Sequence, residues 1–323
     1  MSTQFRIQPL GFSWVALHPQ PKGIVRLIGG AFFGSFPTVS YRYFLQTLFE
    51  SGYTIVAIPF RFTFRHWSVA LSLLEEQNEL QNLLVEKAKA TGYDSEFYLD
   101  NSNYFWIGHS LGCKYIALLE LLSDQNGLTY FQDCISQEEI DKIRRRLGNK
   151  NAIFNQPSLL LAPDISDTDS AIPIKPLAHF IDKIGLGVLP SRSQTQCMID
   201  QSQLFNITGL ISFKSDTIAG NESNKQKDVY WFIQQLTDQN LIHQEIPGKH
   251  LEPLGVKIGQ YIVDFNPLDK FIKPISKRQL ELLTLTFLQQ LSDRIKSALL
   301  PSTSQTPKKS ISKVPVGVVA SKR

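Results

Sequence analysis

Residues 108–112, Gly-His-Ser-Leu-Gly, place a serine between two glycines where a strand-like run, YFWIG at 104–108, gives way to apolar residues at helical spacing. Glycines flanking a serine let the backbone take a sharp, strained turn that lifts the hydroxyl clear of its neighbours, the geometry of a nucleophile elbow. The competing reading of Ser110 is simpler. Serine is a favoured helix N-cap, its hydroxyl accepting an otherwise unpaired backbone N–H, and a cap asks nothing of the rest of the chain. A nucleophile asks for a base, and the base for an orienting acid.

Six histidines are available: His18, His66, His109, His179, His243 and His250. Where nucleophile, acid and histidine follow in that order, the base belongs in the loop after the last strand, and His250 in IPGKHLEPLG takes that place. His243 lies inside the preceding strand-like run, and His109 is part of the turn itself. Asp216 in FKSDTIAG and Asp164 in LAPDISD each follow an apolar run between Ser110 and His250. Asp216, after the later run, is the expected acid, and Asp164 is the alternative. An oxyanion hole needs the N–H of the residue after the nucleophile, Leu111, and a second from the loop after the first core strand, LIGGAFFG, where Ala31 or, failing it, Phe32 would donate. Gly29 and Gly34 in that loop have the spacing of a phosphate loop. Ser35 and Phe36, however, stand where Lys and Ser/Thr are required, so no nucleotide site is expected. Cys113, Cys134 and Cys197 form no C-x-x-C pair and read as reduced thiols. No cofactor or metal is expected.

The elements that must position these residues alternate between two patterns. Strand-like runs occur at 24–28, 54–60, 104–108, 158–162, 210–214 and 241–246. Between them lie segments with helical periodicity. Tyr41, Phe44, Leu45, Leu48 and Phe49 share one face, as do Ala70, Leu73, Leu74, Leu80 and Leu84 within 67–91, and further helices are expected at 225–239 and 278–298. This alternation predicts a parallel sheet with crossover helices. Residues 166–206, with Leu177, Phe180, Ile181 and Ile184 at helical spacing and then a Gly/Pro-punctuated loop, read as an insertion, a lid over a pocket. Residues 124–156, with the charged run EEIDKIRRRLGNK, read as an exposed excursion.

Composition narrows the options. The 323-residue chain is 42% hydrophobic and 19% charged, the balance of a globular protein with a sizeable core, and carries a net charge of +4. Lys308, Lys309, Lys313, Lys322 and Arg323 fall in residues 301–323 with no acid among them, so the rest of the chain is close to neutral. That Ser/Pro/Lys-rich tail, 299–323, reads as disordered and as at most a weak contact for an anionic membrane surface; no nucleic-acid partner is expected. No run approaches the roughly 20 apolar residues of a membrane span, and the N-terminus has no continuous apolar segment of the signal-peptide kind. A cytoplasmic location, or a plastid one after processing, is the expectation.

The blocks GGAFFGSFPTVSYRYFL, GYTIVAIPFRFTFRHW, WIGHSLGCKYIALLE, QPSLLLAPDISDT, LFNITGLISFKSDTIAG and GKHLEPLG together resemble an uncharacterised α/β-hydrolase-like family of cyanobacteria and plastids, domain of unknown function family 1350. The resemblance spans about residues 10–295. It implies an α/β-hydrolase domain over 10–298, with a mostly parallel central sheet flanked by helices, and supplies no substrate. Relative to lipases and esterases generally, the oxyanion loop is Gly-Gly-Ala rather than His-Gly-Gly-Gly. Arg61, Arg65 and His66 lie in the loop after the second core strand, where they either bind an anionic group or satisfy neighbouring backbone and acids. The combined expectation is a serine hydrolase of an ester or thioester with a hydrophobic acyl group, through Ser110, His250 and Asp216. An acyltransferase using the same residues, and a non-catalytic ligand-binding protein on the same fold, are the alternatives. The oligomeric state is not legible.

Overall fold

A computed structural model describes residues 4–124, 127–147, 153, 156–165, 167, 187–202, 205–264 and 272–299. The core is a sheet in the order β1-β2-β4-β3-β5-β6-β7-β8. Its strands are β1 (Gln8–Leu10), β2 (Ser13–Ala16), β3 (Gly23–Ile28), β4 (Tyr53–Ile58), β5 (Tyr104–His109), β6 (Ser158–Leu161), β7 (Thr208–Phe213) and β8 (Ile242–Ile246). Every residue of β3 through β7 is buried, so these strands read in sequence as continuous apolar runs rather than as alternating ones. β3 to β8 pair in parallel, and β2 joins the sheet antiparallel to β4.

Parallel neighbours need crossovers, and the helices supply them. They are α1 (Arg42–Glu50), α2 (His66–Thr91), α3 (Leu111–Ser123), α4 (Gln137–Leu147), α5 (Arg192–Asp200), α6 (Asp228–Leu236) and α7 (Leu280–Leu299). α1 turns Phe44, Leu45, Leu48 and Phe49 onto the sheet, and α2 ends at Gly92 in the left-handed conformation, a residue type that pays no Cβ penalty there. α3 is buried along its whole length, which places it at the centre of one helical layer. The chain runs from β3 outward to β4 and then returns across β3 to β5. The loops after β3 and β5 therefore open at the point where strand order reverses, the position at which α/β sheets bind ligands.

Several expectations change. Residues 124–156 are not wholly an exposed excursion: α4 buries Ile140 and Ile143, because its apolar residues lie three apart on one face beneath a charged exterior. Cys134 and Cys197 are disulfide-bonded, 63 residues apart, rather than reduced; the fold brings the stretch before α4 against α5, an approach that sequence spacing cannot reveal. Cys113 is free and buried. A second sheet of β9 (Val256–Ile258), β10 (Tyr261–Val263) and β11 (Ile272–Pro274) follows β8, where no strand was expected. Most of the anticipated lid, including Leu177, Phe180, Ile181 and Ile184, and the tail beyond Leu299 lie outside the described residues. No helix among the described residues is long and apolar enough to cross a membrane.

Candidate active site

Ser110 stands between β5 and α3 with φ 52° and ψ −121°, a conformation that costs a non-glycine residue about 1–3 kcal/mol. The strain is held by packing. A Cβ on Gly112 would lie 2.0 Å from the carbonyl oxygen of Ile28, and one on Gly108 would lie 2.8 Å from the Cys113 nitrogen, so both glycines are required for α3 to begin this close to β3 and β5. Although Ser110 occupies the N-cap position, its hydroxyl makes no capping bond. It lies 2.8 Å from Nε2 of His250.

The ring of His250 is fixed on its other side. Nδ1 is 2.8 Å from Oδ2 of Asp216, whose Oδ1 accepts the N–H groups of Ile218 at 2.8 Å and Ala219 at 3.0 Å. Three donors thus converge on one carboxyl at the end of β7, which sets the tautomer: Nδ1–H donates to Asp216, and Nε2 is left to accept from the Ser110 hydroxyl. All three side chains are buried. Asp164 is elsewhere, its backbone N–H on the carbonyl oxygen of Ser110 and its carboxyl against Asp228.

The loop after β3 comes over the serine. Gly30, Ala31, Phe32 and Phe33 line a cavity of about 240 Å³ together with Phe62, Phe64, Leu111, Val188, Ile218 and Leu251, and Ser110 and His250 form part of its wall. Among the described residues no backbone acceptor takes the N–H of Ala31 or Phe32, and Leu111, as the first residue of α3, has no partner for its N–H within the helix. Phe32 has φ 59° and ψ −53°, a tight turn closed by the Phe33 N–H on the Ala31 carbonyl.

Arg61 and Arg65 do not line this cavity; Asp164 and Asp167 do. His66 reaches it at the start of α2, but burial pulls its pKa down to about 2, so it presents a neutral ring and no counter-charge for an anion. Behind the serine a second polar cluster closes. Lys114, one turn along α3 and fully buried, donates to the Pro190 carbonyl at 2.7 Å. Arg192 at the start of α5 pairs with Asp228 at 2.6 Å and gives its backbone N–H to Asp167. Burial pulls the Lys114 ammonium down to about 8, and burial together with Asp164 pushes Asp228 up to about 7. Spacing along the chain carried no signal for this cluster. Among the described residues no group of three or more His, Cys, Asp or Glu could hold a metal ion.

Residues 7–134 match the family model DUF1350, a protein family of unknown function. No curated protein matches the sequence. Solved structures do match the fold. The carboxylesterase Cest-2923 of Lactobacillus plantarum WCFS1 is similar over 90% of this chain and 98% of its own, with TM-score 0.54 at 13% identity. Esterase B of Lactobacillus rhamnosis HN001 is similar over 88% and 82%, with TM-score 0.52 at 13% identity. The chain has the α/β-hydrolase fold, which the DUF1350 match does not itself specify.

Proposed function

We propose that the protein is a serine hydrolase acting on an ester or thioester of a hydrophobic acyl group through an acyl-enzyme. The observation that carries this reading is the Ser110 hydroxyl, turned away from the helix it precedes and onto His250 at 2.8 Å, in the wall of an apolar cavity. A buried hydroxyl used only for structure would cap α3.

In this reading Ser110 Oγ attacks the acyl carbonyl while Nε2 of His250 takes its proton, and Asp216 holds the resulting imidazolium in place. The N–H of Leu111 and that of Ala31 or Phe32 stabilise the tetrahedral oxyanion. As the intermediate collapses, the proton on Nε2 passes to the leaving alcohol or thiol. Water, deprotonated by His250, then attacks the acyl-serine; the acyl–Oγ bond breaks, His250 returns the proton to Ser110 Oγ, and the acid leaves. An alcohol in place of water would turn the same steps into acyl transfer. The aromatic lining of the cavity suits an apolar acyl chain, and at about 240 Å³ it lies below the roughly 300–1,000 Å³ of drug-sized pockets, which favours a short acyl group. Asp164 and Asp167 in the same wall disfavour acyl groups that carry their own carboxylate.

Hydrolysis of p-nitrophenyl acetate, butyrate, octanoate and palmitate tests the reading. Turnover that is highest for acetate or butyrate and absent in Ser110→Ala supports it. Ligand binding in the cavity with no turnover of any ester or thioester would replace it with the non-catalytic reading.

A further inference from the structure

We infer that His109 and Tyr41 are positioning residues, forming a buried hydrogen-bond relay that sets the loop after β3 and the His250 loop against the serine turn. The inference rests on the hydrolase reading of the same site and assigns a task to two side chains which that reading leaves unused.

The direction of every bond in the relay follows from chemistry. The peptide N–H of Gly30 lies 2.7 Å from the Tyr41 hydroxyl oxygen, and an N–H only donates. The carbonyl of His250 lies 2.8 Å from Nε2 of His109, and a carbonyl only accepts, so Nε2 carries a proton. Complete burial of the His109 ring, beside His250, pulls its pKa down to about 3, so the ring is neutral and Nδ1 is a lone pair. The Tyr41 hydroxyl, 2.8 Å from Nδ1, must then donate to it, and burial pushes its own pKa upward, which keeps that proton in place. Neither side chain has any exposed surface.

The consequence is mechanical. His109 is joined through the chain to Ser110, through Nε2–H to the backbone of His250, and through Tyr41 to Gly30 in the candidate oxyanion loop. The Ser110–His250 pair is therefore tied twice, once through the side chains and once through the His250 carbonyl, so the His250 backbone cannot draw away from the serine turn without breaking a buried bond. Tyr41 occupies the acceptor it offers to Gly30, while among the described residues the N–H groups of Ala31 and Phe32 further along the same loop find no backbone acceptor. Misplacement by about 1 Å costs on the order of 10²-fold in rate, so a relay of this kind acts on turnover more than on substrate affinity.

Three variants separate positioning from simple burial of polar groups. His109→Leu keeps volume and removes the bonds to Tyr41 and to the His250 carbonyl, Tyr41→Phe removes the bonds to Gly30 and to Nδ1 but leaves the one to the His250 carbonyl, and His109→Gln restores an N–H near the place of Nε2. Relative to wild type, His109→Leu is expected to lower kcat on the order of 10²-fold with KM within about twofold, Tyr41→Phe to lower kcat about tenfold, and His109→Gln to recover most of the loss. A readout independent of turnover is the NMR signal of the imidazole proton between His250 and Asp216. Its exchange with water is expected to accelerate at least about tenfold in His109→Leu and less in Tyr41→Phe. If His109→Leu does not fold, the other two variants carry the same comparison. Wild-type proton protection in Tyr41→Phe and His109→Leu, or equal loss in His109→Gln and His109→Leu, overturns the relay. A wild-type protein that hydrolyses nothing would sink the hydrolase reading instead, and the exchange measurement would still decide the relay.

Discussion

Two polar clusters flank the corner at Ser110, and they are built on opposite principles. On one side hydroxyls, imidazoles and backbone amides gather around one carboxyl: Ser110, His250, Asp216, His109 and Tyr41. One chain of donors runs from the Ser110 hydroxyl in the cavity wall through His250 to the Asp216 carboxyl, and a second runs from Gly30 through Tyr41 and His109 to the His250 carbonyl. On the other side buried Lys114 and Asp228 meet the half-buried Arg192, Asp164 and Asp167, and their donors and acceptors turn on one another and on the backbone at Pro190, Arg192 and Ile165. A cluster that begins at a hydroxyl in a cavity wall suits chemistry. A cluster that consumes its own charges suits anchoring, here of the segment from Pro190 into α5, which also carries a capping box at Ser191 and the disulfide at Cys197. Ligand contact does not separate the two, since Asp164 and Asp167 also reach the cavity.

The largest effect that would break this contrast concerns activity. Ser110→Ala should lower kcat/KM on the order of 10³-fold or more without loss of melting temperature, because alanine keeps the Cβ and the hydroxyl makes no capping bond; His250→Ala should match it, and the double variant should lose little further, because the residues act as a unit. Asp216→Asn comes next, at about 10²–10³-fold, with the loss in kcat, since the amide reverses the bond that sets the His250 tautomer. Ester kinetics on folded protein checks all four.

Lys114→Met tests the opposite side and should invert the pattern. Removing the buried cation leaves buried carboxyls under-compensated, so stability should fall by about 3–5 kcal/mol in denaturant unfolding, while kcat of the folded fraction stays within about threefold. A loss confined to kcat would merge the clusters into one functional unit. Glu120→Gln sharpens the comparison with the smallest effect. Glu120, at the far end of α3, is fully buried, and burial pushes its carboxyl up to about 8. The folded state therefore holds a proton that the unfolded chain releases near its ordinary carboxyl pKa, so the stability that Glu120 contributes falls as pH rises from that value to about 8 and the slope then ends. The amide variant lacks this slope. Its melting temperature relative to wild type should climb from about pH 5 to about pH 8 and then level off.

The same contrast explains what could be read from the chain. β3 to β7 were legible because strands buried on both faces leave unbroken apolar runs, and the candidate nucleophile because its two glycines stand at a strand-to-helix junction. Asp216 and His250 followed from their places after β7 and β8. The second sheet was not legible: strands of three residues with mixed burial, as in β9 and β10, carry no periodic signal. Tyr41 counted only as part of an apolar helical face and His109 only as part of the turn, because their hydrogen bonds run to residues 11 and 141 positions away. The charged cluster and the disulfide were hidden for the same reason, each joining elements whose approach only the folded sheet decides.

The most direct test of the central claim is covalent. Wild-type protein treated with a fluorophosphonate and analysed by peptide mass spectrometry should carry one adduct, on Ser110, and should lose it in Ser110→Ala and in His250→Ala. An adduct on another serine, or a folded wild-type protein that takes no label while a known serine esterase in the same tube is labelled, would contradict the account.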